Sequence, residues 1–120
     1  NPLPEMECGM AYLAHPYASA FSDIKAFNLI DAGNIAFKIM RKYLNLTIIS
    51  PLHNYSFFEG KELKETEILK YDFRLLSRCD MLILSGKWRN SNGCMAEYGY
   101  AKAKGIRIYE YRDGLLYPLE

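Results

Sequence analysis

The sequence predicts a single α/β domain of the Rossmann-like, flavodoxin-like kind: a mostly parallel sheet of four to five strands with helices on both faces. Three observations predict it. Short apolar runs alternate with longer segments of helical period, in the order β-α-β-α-β-α-β. One run, Asp80–Ser85 (DMLILS), is apolar throughout its middle, as a strand covered on both sides must be. The length, 120 residues, suits one domain with one core. Right-handed crossovers then give the strand order 2-1-3-4, with strands 1 and 3 central.

Each element has its own warrant. Residues 1–8 read as a poorly ordered leader, polar and proline-broken and without the pattern of a signal peptide. Met10–Ala14 (MAYLA) is the first strand, ended by His15-Pro16. Tyr17–Phe21 form a loop, and Ser22 is placed to cap a helix running from Asp23 to about Tyr43. Phe27, Ile30, Asn34, Phe37 and Met40 recur at helical spacing and predict its inner face. Gly33 inside that helix costs up to about 1 kcal/mol and marks a close packing contact. Leu46–Ser50 is the second strand, ended by Pro51, and Leu52–Gly60 is a loop rich in aromatics. Lys61–Arg78 is the second helix, with Glu65, Leu69, Asp72 and Leu76 near one face. Asp80–Ser85 is the third strand and Gly86–Gly93 the loop after it. The third helix starts at Asn92 or Gly93, runs to about Lys104 and stops at Gly105. Ile106–Tyr111 is the fourth strand, and Leu115, Leu116, Tyr117 and Leu119 close the chain.

Composition narrows the function classes. Fifteen basic and fourteen acidic residues give a net charge of +1, which supplies no field for a nucleic-acid polymer. No apolar run approaches the roughly 20 residues that span a bilayer. Cys8, Cys79 and Cys94 are too scattered for a disulfide framework, and with no CxxC pair no structural metal site is expected. Reduced thiols suit a cytoplasmic protein. No cofactor is expected: GxGxxG and GxxxxGK[ST] are both missing, which argues against the common dinucleotide and P-loop sites; HExxH and the GxSxG serine elbow are missing too.

The chemistry gathers in the three loops that follow strands 1, 2 and 3, where ligands of such folds bind. Glu97 lies one turn into the third helix among small neighbours, so it faces the sheet, and the helix N-terminus favours its charge. Its plainer reading is a surface glutamate that suits the helix dipole. Asp72 lies beside the apolar stripe of the second helix, where an unpaired carboxylate is costly. Its plainer reading is a pair with Arg74, Arg78 or a nearby backbone group. Two carboxylates converging on one cleft suggest retaining glycosyl chemistry. Tyr12 either packs in the core or orients a carboxylate. His15 either contacts a ligand or closes a turn, and Trp88 either stacks on a base or covers the third helix. Ser91-Asn92-Gly93 at a helix start offers N–H groups to an anion, or serves as a simple cap.

Together these segments resemble the nucleoside 2-deoxyribosyltransferase-like superfamily, including its nucleotide N-glycosidase members and small uncharacterised bacterial and phage members. The carriers are Tyr12–Tyr17 (YLAHPY), Asp72–Asp80 (DFRLLSRCD), Trp88–Gly93 (WRNSNG) and Ala96–Ala101 (AEYGYA), spread over about residues 10–111. The resemblance implies one such domain over 1–120. It implies that Glu97 attacks C1′ of a nucleoside or its 5′-monophosphate and holds the sugar as an ester. Asp72 would protonate the departing base and Tyr12 would orient Glu97. Water as acceptor gives hydrolysis, and a second base gives transfer. His15, Pro16, Tyr17, Trp88, Ser91, Asn92 and Gly93 would bind the substrate. Monophosphate-cleaving relatives carry a serine six residues before the catalytic glutamate, where this chain has Ser91, which implies a nucleotide. His15 replaces the family's usual small residue. Relatives complete a site with a C-terminal residue of the neighbouring subunit, for which Arg112–Glu120 are available.

The competing reading is a binding module that sequesters or senses a nucleotide-derived ligand without cleaving it. Ten tyrosines and the aromatic loop also predict a homodimer or higher homo-oligomer, joined through the 52–60 loop or the second helix.

Overall fold

Strand β1 (Gly9–Ala14) sorts its side chains by parity. Ala11 and Leu13 join one buried cluster with Ile35, Ile39 and Tyr43, whereas Tyr12 and Ala14 join another with Leu76, Cys94 and Ala101. The computed structural model, which describes residues 1–119, thus has a core on each face of one sheet. Helix α1 (Ser22–Lys42) covers the first face. Strand β2 (Leu46–Ile49) follows, then the short helix α2 (Pro51–Asn54). Helix α3 (Glu65–Leu76), strand β3 (Met81–Leu84) and helix α4 (Asn92–Lys104) come next, and both helices cover the second face. Strands β4 (Arg107–Arg112) and β5 (Leu115–Pro118) end the chain.

The sheet order is β2-β1-β3-β4-β5. The first three pairings are parallel, so the expected Rossmann-like order stands, and β5 returns antiparallel on β4. Asp113 and Gly114 make that return with φ of 49° and 84°, the two left-handed residues a type I′ turn requires. An Asp-Gly pair before an apolar run was the available sign of this fifth strand. The hairpin holds Arg112 against Glu110 at 3.3 Å and over the Tyr117 ring. Glu120, the end of the segment expected to reach a neighbour, lies outside the described residues. No helix among them is long and apolar enough to cross a membrane.

Four expectations are corrected. The stripe Phe27, Ile30, Asn34, Phe37 and Met40 faces outward; Ala32, Ile35 and Ile39 face the sheet instead. Helix α1 carries two apolar faces, and periodicity alone does not choose between them. Ser22 is the first helical residue rather than a side-chain cap. Helix α3 begins at Glu65, four residues late, because Lys61 and Lys64 suit a helix N-terminus badly while Glu65 and Glu67 suit it well. The leader is docked at Leu3, which is buried in the first cluster and donates its N–H to the Leu116 carbonyl at 2.7 Å. Gly33 does mark a close contact: a Cβ there would sit 3.3 Å from His53 Nε2.

Candidate functional site

The parallel strands end together, so the segments after β1, β2 and β3 meet at one edge. There they enclose a cavity of about 560 Å³ with the upper turns of α3 and α4. Two short contacts fix this edge. Ser85, just beyond β3, donates from its hydroxyl and its N–H to the Ala14 carbonyl at 2.9 and 3.0 Å. At the opposite end Asp80 locks the same strands: its carboxylate accepts from Met10 N–H, and its own N–H donates to the Met10 carbonyl. The last aspartate of Asp72–Asp80 therefore has a structural task, and the first has a different one.

Glu97 is buried, and its carboxylate accepts a hydrogen bond from the Tyr12 hydroxyl. Tyr12 reaches it because alternation in β1 points Tyr12 toward α4. Burial pushes the Glu97 carboxyl up to about 8; the Tyr12 bond opposes this and the Asp72 charge adds to it. Burial also raises the Tyr12 hydroxyl well above its ordinary value, ahead of the Glu97 and Asp72 charges, so it stays a donor. Asp72 lines the same cavity, one helix away. Burial lifts its carboxyl to about 6. Among the described residues it forms no ion pair, so the reading of a partnership with Arg74 or Arg78 fails. Two carboxyls thus line one cavity, and burial raises both of them.

Ser91 caps α4, accepting the Cys94 N–H at 3.2 Å, and it lines the cavity with Gly93. A hydroxyl that accepts from a helix can still donate to a ligand. Cys94 also lines the cavity, but burial raises its thiol to about 12, which makes it inert.

His15 lines the cavity with both ring nitrogens engaged, Nδ1 with the Pro16 carbonyl at 2.7 Å and Nε2 with Asp31 at 2.8 Å. Its bulk is accommodated by Gly86, where φ is +63° and a Cβ would lie 3.0 Å from Nε2. Tyr17 lines the cavity as well, its hydroxyl bonded to Glu59.

Three expected ligand contacts lie elsewhere. Trp88 is buried under α4, its indole N–H donating to Glu110 at 2.9 Å and its ring against Tyr98, so it covers the helix. Pro16 and Asn92 are not part of the cavity wall. Conversely, Tyr55 and Phe58 of the aromatic loop wall the cavity, with Leu63 and Ile68 below them. Tyr55 stacks on Phe58 with ring centres 5.0 Å apart. The loop's aromatic density is the signal for this wall.

These features define an α/β protein with a carboxylate pair in an aromatic-walled pocket at its strand ends. Over residues 30–110 the chain matches DUF4406, a domain of unknown function, and it belongs to that family. The matched span holds Asp72, Ser91 and Glu97 but stops short of Tyr12. No curated protein and no solved structure matches the chain.

Proposed function

We propose that this protein cleaves the N-glycosidic bond of a nucleoside 5′-monophosphate, or of a nucleoside, through a glycosyl ester on Glu97. The observation that carries this reading is the buried Glu97, hydrogen-bonded by Tyr12 and lining one cavity with Asp72. The Glu97 carboxylate attacks C1′ while the C1′–N bond breaks. The bonding electrons leave with the base, which takes the proton of Asp72. Asp72, now ionised, accepts a proton from water as that water attacks C1′. The sugar departs with the new hydroxyl, Glu97 returns as carboxylate, and Asp72 regains its proton. Tyr12 keeps Glu97 oriented and stabilises the charged form during departure. Ser91 and the N–H groups at the start of α4 suit a 5′-phosphate, and the Tyr55–Phe58 wall suits a flat base.

The test incubates the protein with a panel of nucleosides and monophosphates and follows free base by chromatography. Base release by the parent, lost in Glu97→Ala with ligand affinity retained, supports the proposal. Tight nucleotide binding by the parent without any base release would replace the enzyme with a binding module. Equal rates for Glu97→Ala and the parent would remove Glu97 from the chemistry.

A further inference from the structure

The outer face of α1 is unusual for a helix that already covers a sheet. Phe27, Ile30 and Phe37 are 62%, 63% and 57% exposed, and Ile24, Met40 and Leu44 beside them are 44%, 45% and 76% exposed. At roughly 200 Å² for a side chain of this size, the six present on the order of 700 Å² of apolar surface. That exceeds the patch of an ordinary monomer and approaches the roughly 800 Å² each partner gives to a stable interface.

The order of residues along this face says what covers it. Asp23, Phe27, Ile30, Asn34, Phe37 and Arg41 follow one another at steps of four, three, four, three and four, the spacing of a coiled-coil seam. The series is self-complementary when reversed about residue 32. Phe27 then stands opposite Phe37, Ile30 opposite Asn34, and Asp23 opposite Arg41. The charges at the two ends are therefore opposite in sign where a second, antiparallel copy would place them. A two-fold interface demands this self-complementarity, and an unrelated partner would not. All six residues are solvent-exposed. Leu29, on another side of α1, lines the cavity, so the seam leaves the cavity open.

We propose that two copies of this chain pair through α1, antiparallel, with the two-fold axis at the level of residue 32. Tyr55 and Phe58 of the aromatic loop, the surface expected to join subunits, line the cavity, and α1 offers a second surface.

Sedimentation velocity at micromolar concentration tests this, with circular dichroism and thermal melts as folding controls. The parent sediments at twice the chain mass. Phe37→Glu, at an exposed position, folds normally and sediments as a monomer. Asp23→Arg sets a guanidinium against the partner's Arg41, and Arg41→Asp sets two carboxylates together. Symmetry doubles each clash, so each single variant raises the dimer dissociation constant at least about tenfold. The double variant restores the dimer. Both substitutions oppose the helix dipole, so a merely structural effect would make the double variant the worst of the three. A monomeric parent, a Phe37→Glu protein that still dimerises, or a double variant as weak as the singles overturns the proposal.

Discussion

At the scale of residues, the site turns on how much water each carboxyl has lost. Burial raises Asp72 to about 6 and Glu97 to about 8, and in the proposed reaction one must give a proton while the other attacks as an anion. Only the singly protonated pair is active, and it predominates between those two values. The activity is therefore expected to be bell-shaped, with a maximum near about pH 7 and limbs near the two values. Burial lifts Glu97 further than Asp72, so the pair rests with its proton on Glu97 and reacts through the minority form that holds the proton on Asp72; the bell has the same shape for either form. Measuring kcat/KM for base release across pH checks it, and Asp72→Asn should remove the alkaline limb's dependence on the acid and lower kcat. A rate that climbs without a maximum would mean that no acid assists departure.

At the scale of elements, helix α4 carries Glu97, the proposed nucleophile, and begins at Ser91, the proposed phosphate contact. Ser91 accepts the Cys94 N–H and is one of the cavity residues, so Ser91→Ala should do two separable things. Losing the cap should cost about 1 kcal/mol of stability. Losing the donor should weaken monophosphates more than nucleosides by about 1–3 kcal/mol. Calorimetry with matched pairs separates the two effects, because the stability cost is common to both ligands. If both ligands weaken equally, Ser91 is a cap alone. Elements were the most legible feature of the sequence, since period and end signals are local. The Tyr12–Glu97 meeting was legible only through the family resemblance, because strand parity alone leaves Tyr12 between packing in the core and orienting a carboxylate. Trp88 was not: a loop has no period to reveal which ring is buried, and its Glu110 partner lies on another strand. Nor was the orientation of α1, whose two apolar faces give the same spacing signal.

At the scale of the molecule, a buried carboxyl pair makes stability depend on pH. Glu97 has an ordinary value near 4.5 and a folded value of about 8, and Asp72 moves from 3.8 to about 6. Between the lower and upper values the folded chain holds protons that the unfolded chain has released. Stability therefore falls as pH rises through this window, and levels off for these groups once both are ionised. The full contribution is present only below the ordinary values. Glu97→Gln removes the larger part of this dependence. Its amide oxygen still accepts from Tyr12, and no charge has to form inside the fold. At about pH 4 the variant and parent should melt alike, because Glu97 is protonated in both states. By about pH 9 the variant should melt higher, each 1 kcal/mol counting for roughly 4 °C in a domain of this size. The difference should open across the Glu97 window and nowhere else. The same substitution should end the proposed chemistry, so a gain in melting temperature alongside lost base release would mark Glu97 as a residue kept for function at the expense of stability. A parent that melts as high as the variant at about pH 9 would place the Glu97 carboxylate in water.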